Sequence, residues 1–80
     1  MDSVEKEVVN IVAGVLRKEP QAISLDAMMG DVKEWDSLAN VLIVSEVERH
    51  FSVMFDVGQV ADAESVQDFI DLVRQAKATT

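Results

Sequence analysis

Three stretches of this chain repeat their apolar residues at three- and four-residue steps, the spacing of a helical stripe, and this commits the chain to a core built from helices. The stripes are Val4, Val8, Ile11, Val12, Val15 and Leu16, then Ile43, Val44, Val47 and Phe51, then Val66, Phe69, Ile70 and Val73. The spacing predicts a first helix over residues 4–17. Asp2 or Ser3 can cap its start, Glu5 stands three residues after Asp2 as in a capping box, and Arg17 and Lys18 suit the negative end of its dipole before Pro20 closes it. A second helix is predicted over residues 37–50 or 37–51 with Asp36 as its cap, and a short third one near residues 56–61, which Gly58 weakens. The last begins with Ser65 as N-cap and should fray at its Ala78-Thr79-Thr80 end. The predicted fold is therefore all-α, a four-helix bundle with a short third helix.

Residues 19–35 break the pattern. They hold Pro20, Gly30 and a scatter of Ile23, Leu25, Met28, Met29 and Val32 that fits neither a stripe nor strict alternation, so they read as a long loop pinned by apolar contacts. Loops of this length are uncommon in small domains and tend to be functional.

Eighty residues make one domain, here expected as a single unit over residues 1–80 with an ordered core of about 3–76. At this size caps and well-packed helices must supply much of the stability, and a large internal cavity is not expected. The chain has 7 Lys+Arg against 15 Asp+Glu, a formal net charge of −8, which repels nucleic acid and anionic membrane and steers basic partners inward. It has no cysteine, hence no disulfide framework, thiolate metal site or cysteine nucleophile. The start, Met1-Asp2-Ser3-Val4-Glu5-Lys6, has no basic leader region, and no apolar run approaches membrane-spanning length. The expectation is a cytoplasmic protein without membrane insertion, and nothing demands more than a monomer.

The second helix carries apolar residues on two sides. Ile43, Val44, Val47 and Phe51 share an arc of about 100°, wide enough to face the core. Leu38, Val41 and Leu42 fall almost opposite, with Ser45 and Arg49 and close to Ser37 at the helix start. Two readings stand for that second arc: the long loop folds over it, or it is a docking surface for another protein. Trp35 could serve as a packing anchor or as a recognition residue.

The residues Trp35-Asp36-Ser37-Leu38 place an Asp-Ser-Leu at the start of the second helix after a long loop, and this resembles the attachment site of the acyl carrier protein family. The tripeptide alone is a weak signal, because Asp and Ser are ordinary caps. Its context is more specific: chain length, acidity, four helices with a short third one, Phe51 closing the second helix and Ser65-Val66-Gln67 opening the fourth. The resemblance spans about residues 4–73. It implies that Ser37 carries a 4'-phosphopantetheine arm derived from coenzyme A, with acyl intermediates held on it as thioesters, and that the chain is not an enzyme. It further implies that Asp36 helps hold a divalent metal when a separate phosphopantetheinyl transferase installs the arm, with Leu38 beside it. Acyl-loading enzymes and synthases or acyltransferases would meet Trp35, Leu38, Val41, Leu42, Ser45, Glu48 and Arg49, while the apolar interior would transiently shelter the acyl chain. Independently of the family, a phosphodiester on Ser37 would lie where free backbone N–H groups and the positive end of the helix dipole meet an anion.

Other chemistries fail on inventory. His50, the only histidine, comes thirteen residues after Ser37 and near the far end of the same helix, out of reach as a general base, so no Ser-His-Asp hydrolase site can form. The acidic residues lack EF-hand spacing, one histidine without cysteine builds no zinc site, and Gly14, Gly30 and Gly58 are too far apart to cradle a phosphate. Glu46, Glu48 and Asp68 read as solvated faces.

The chain also departs from the carriers it resembles. Those of bacterial fatty acid synthesis have a glycine shortly before Asp-Ser-Leu and a markedly acidic second helix. Here Val32-Lys33-Glu34-Trp35 precede Asp36, the nearest glycine is Gly30, and the outward positions read Ala39, Leu42, Ser45 and Arg49, with Glu48 alone acidic. Lost charge pairs change partner choice, which points away from the general fatty acid enzymes and toward a dedicated polyketide, modified amino-acid or cell-envelope pathway. The alternative is an unmodified helical interaction module of the same fold.

Overall fold

A computed structural model of the protein describes residues 2–78. Four α-helices follow one another: α1 (Ser3–Leu16), α2 (Ser37–Phe51), α3 (Val57–Asp62) and α4 (Val66–Ala78), with a 3-10 turn at Pro20–Ala22. The fold is all-helical, as the stripes require. The expected fraying at Thr79 and Thr80 lies outside the described residues.

Each helix starts where a side chain can satisfy amides that have no intrahelical acceptor. Asp2 Oδ1 accepts from the Glu5 N–H at 2.9 Å while Glu5 Oε1 accepts from the Asp2 N–H at 3.1 Å, a complete capping box. Asp56 and Gln59 repeat it at α3, at 2.8 and 3.0 Å. That second box offsets the weakness Gly58 brings to so short a helix. Asp36 Oδ1 caps α2 through the Ala39 N–H at 2.9 Å, and Ser65 Oγ caps α4 through the Asp68 N–H at 3.1 Å.

Two helix ends turn through residues in the left-handed conformation that are not glycine, Arg17 (φ 59°) after α1 and Ser52 (φ 56°) after α2. Lys18 N–H reaches Ala13 O at 2.9 Å and Val53 N–H reaches Glu48 O at 3.0 Å, closing the last turns. Arg17 therefore ends α1 instead of lying in its last turn.

The core lies among α1, α2 and α4. Val8, Val12, Ile43, Val47, Val66, Phe69, Ile70 and Val73 are fully buried, joined by Trp35 from the long loop. The α4 stripe is buried as predicted. On α1 the buried set also includes Val9 and Ala13, while Val4, Ile11 and Val15 are only half-buried. The reason is that α1 packs against both α2 and α4, which moves its buried arc off the simplest stripe. The residues of α3 are not buried, and the helix contributes a half-buried Val60 at the edge.

The long loop is more ordered than its sequence pattern suggests. Ile23 is buried and Leu25, Ala27, Met29 and Val32 pack partly against the core. Met29 N–H donates to Glu64 O at 2.7 Å and Val66 N–H to Ala27 O at 3.0 Å, so the loop is strapped to the turn before α4. At Gly30 (φ 97°) the backbone reverses, a conformation that favours glycine, and its N–H donates to Trp35 O at 3.2 Å.

One acid-dependent element follows from the α1 cap. The Glu5 amide and then the Arg74 guanidinium hold the Asp2 carboxyl below its ordinary range. A depressed folded-state value contributes stability above the ordinary aspartate value near about 4 and loses it as pH falls through the lowered value. Asp2→Ala is expected to lower the melting temperature at neutral pH, and the gap from wild type should close on acidification below about pH 4. Thermal unfolding across a pH series measures this.

Candidate functional site

Ser37 is the first residue of α2 and is exposed. Among the described residues nothing hydrogen-bonds to its Oγ. Asp36 before it spends one carboxylate oxygen on the Ala39 amide and its carbonyl on the Asn40 N–H at 2.9 Å. That leaves the amides of Ser37 and Leu38 at the N-terminal end of the helix without intrahelical acceptors, beside an unengaged hydroxyl. The arrangement accommodates an anion attached to that oxygen at little cost, because the amides and the helix dipole both favour negative charge there.

The first turn of α2 is held from beneath. Trp35 is only 1% exposed and is the largest fully buried side chain of the core. Its Nε1–H donates to Asn40 Oδ1 at 2.9 Å, and Asn40 Nδ2 donates to Ala63 O at 3.0 Å. This chain of bonds links the long loop, the start of α2 and the turn between α3 and α4, and it satisfies the indole N–H that burial would otherwise leave unpaired. Beside it, the Lys18 ammonium lies 3.3 Å from Glu34. The Glu34 carboxyl is held below its ordinary range by its own backbone amide and then by Lys18.

On the outward side of α2 the long loop does not fold over the apolar cluster. Leu38, Val41 and Leu42 are 69%, 59% and 49% exposed. Ser45 and Arg49 are exposed on the same helix, and the Arg49 guanidinium pairs with Glu46. Leu42 and Glu46 also border a shallow open groove completed by Gly14, Val15 and Arg17 of the first helix and its end.

The sequence model described as the phosphopantetheine attachment site matches residues 6–73. The chain belongs to that family. Two acyl carrier proteins of Rickettsia bellii are similar over nearly their whole length. The one from strain RML369-C is 26% identical over 78 residues, covering 98% of this chain and 91% of that protein. The one from strain OSU 85-389 is 27% identical over 78 residues, covering 98% and 96%. A solution structure of a holo acyl carrier protein from Geobacter metallireducens superposes with a TM-score of 0.83 at 22% identity, covering 98% of this chain and 90% of that one, which shows the shared fold. As a member of the phosphopantetheine attachment family the chain is an acyl carrier protein and not an enzyme. Its prosthetic group is 4'-phosphopantetheine, and the exposed hydroxyl with free amides beside it at the start of α2 fits such a group.

Several expected roles need correction. Trp35, a candidate partner contact, is buried in the core and cannot meet another protein; its aromatic bulk lies under α2. Ala39, expected on the outward side, is buried, since Ala39, Ile43 and Val47 follow one another at four-residue steps on the core face. Glu48 is half-buried and its Oε2 accepts from the Phe55 N–H at 2.9 Å, which makes it a support for the turn after α2 instead of a free acidic group. Asp68 accepts from the Glu64 N–H at 3.0 Å and so belongs to the α4 cap, not to a solvated face. His50 lies 3.1 Å from Glu7 through its Nε2 and holds the Glu7 carboxyl below its ordinary range. Asn40 was not marked by the sequence reading. Its signal was a short polar residue inside a helix, three positions after the serine, where only a specific hydrogen bond offsets its poor helix propensity.

Among the described residues no group of three or more His, Asp or Glu is placed to hold a metal, and no helix is long and apolar enough to cross a membrane.

Proposed function

We propose that Ser37 is the residue to which the 4'-phosphopantetheine arm is attached, and that the carrier delivers acyl thioesters to partner enzymes that dock on the outward face of α2. The observation that supports this most is the exposed Ser37 Oγ, which has no hydrogen bond among the described residues, at a helix start with two unclaimed amides. The bound arm supplies a terminal thiol on a long tether for thioester chemistry. The chain's own residues hold the attachment point. Asp36 fixes the first turn through its cap, and the oxygen it leaves unbonded is available to a divalent metal brought by the transferase. Incubating the protein with coenzyme A, magnesium and a broad-specificity phosphopantetheinyl transferase should add the mass of one arm, read by intact-mass measurement. An unchanged mass with several transferases would overturn the assignment and favour an unmodified interaction module.

Leu38, Val41, Leu42, Ser45 and Arg49 form the docking face in this reading. Exposed apolar side chains on so small a domain mark an interaction site, and they stand where an acidic helix would otherwise present charge. A face that is apolar and carries an arginine suits dedicated enzymes of a polyketide, modified amino-acid or cell-envelope pathway better than the general fatty acid enzymes, and we place the protein in the cytoplasm as a monomer with them. Leu42→Glu is expected to leave the melting temperature unchanged, since half of this side chain is already in water, while lowering kcat/KM of a docking enzyme by about tenfold or more. Parallel unfolding and steady-state assays check both halves, and an unfolded variant would place Leu42 in the core.

A further inference from the structure

A carrier can treat its cargo in two ways: draw the acyl chain between its helices, or leave it in solvent for the partner to bind. Which it does depends on what fills the space behind the attachment point. Here that space holds Trp35, buried to 1% exposure and one residue before the Asp36 cap. Its indole N–H is spent on Asn40 Oδ1, and Asn40 Nδ2 on the Ala63 carbonyl, at 2.9 and 3.0 Å. Other positions of the same core cluster, Ile43 and Val47 on α2 and Val66, Phe69 and Ile70 on α4, are fully buried as well. To enter beside Ser37 a chain would have to displace a large aromatic ring. It would also break two hydrogen bonds, leaving a buried indole N–H and a carbonyl of a buried residue without partners.

Resting on Ser37 as the attachment point, we propose that the Trp35–Asn40–Ala63 hydrogen-bond chain locks the interior against the cargo, so that this carrier holds short or polar acyl groups outside its core. The expectation that the apolar interior shelters the chain is thereby reversed. The substrate class this favours is a short acyl, hydroxyacyl or aminoacyl thioester, for which leaving the group in water costs little. A long alkyl chain carried in this way would keep its apolar surface outside the core, at a cost that grows with its length.

The test loads the full-length protein with acetyl, octanoyl or dodecanoyl arms, using the corresponding acyl-coenzyme A and a phosphopantetheinyl transferase. Intact mass confirms loading before melting temperatures are compared. The lock predicts melting temperatures that agree within about 2 °C across the series and an unchanged emission from Trp35, the only tryptophan. Burial of even part of a dodecanoyl chain would raise the melting temperature by about 10 °C or more and shift that emission, and this result would overturn the proposal. Asn40→Leu, which removes both bonds, and Trp35→Phe, which keeps aromatic bulk without the N–H, should each introduce a dependence on chain length. If neither does while wild type also shows none, the hydrogen-bond chain is not the lock. Failure of wild type to gain any arm would instead remove the attachment at Ser37, and this inference with it.

Discussion

Ser37→Ala is expected to add no arm at all under conditions that load wild type completely, while melting at the same temperature. The two halves of that expectation come from the same observation. The Ser37 Oγ is exposed and receives no hydrogen bond from the described residues, so its removal takes nothing from the fold. The helix start is held by Asp36 through the Ala39 amide and by the main-chain bond from Asn40 to Asp36, and neither bond involves the serine side chain. The intrinsic helix propensities of alanine and serine differ by only about half a kcal/mol, too little to change the fold. Intact mass reads the loading and thermal unfolding reads the fold. A variant that still gains one arm would move the attachment to another hydroxyl, such as the exposed Ser45 on the same helix.

Trp35→Ala is the opposite case, a large loss of stability. The indole is fully buried, contacts the central cluster and satisfies Asn40, so truncation leaves both a cavity and an unpaired side-chain oxygen. Large-to-small changes of an aromatic core residue cost about 3–5 kcal/mol, and the stranded Asn40 adds about 1 kcal/mol. That is a large share of the stability an 80-residue domain has, about 5–10 kcal/mol, so the variant should be largely unfolded at 37 °C. Urea denaturation followed by circular dichroism measures it, with Trp35→Phe as the control that keeps most of the volume. A loss under 1 kcal/mol in Trp35→Ala would show that the residue is not the core anchor its burial indicates.

The helices were legible because their causes are local. Asp2 with Glu5, Asp36, and Ser65 sit where caps must sit, and Val66, Phe69, Ile70 and Val73 repeat at intervals that only one face of a helix can satisfy. The exposure of Leu38, Val41 and Leu42 was half legible. Their arc could be drawn on the wheel, but whether the loop covers it depends on where residues 27–29 go, and that is decided by backbone bonds to residues 64–66, far along the chain. Trp35 was ambiguous for the same reason. Only its pairing with Asn40 and, through it, with Ala63 decides that it turns inward, and no periodicity links positions 35, 40 and 63. Glu48 and Asp68 were misjudged because a carboxylate on a helix surface looks solvated until the neighbouring turn offers it an amide.

The third helix is tied down at both of its flanks. At its far end Ala63 is buried and bonded to α2; at its near end Val57 and Met54 stand in solvent, but Phe55 between them is buried with its N–H on Glu48 of α2, and the Asp56–Gln59 box organises the turn. A short helix with no buried residue of its own thus depends on its two flanks for its place in the fold. Both ties end on side chains of α2, Asn40 and Glu48, so the helix that begins at Ser37 is the post from which the short one hangs.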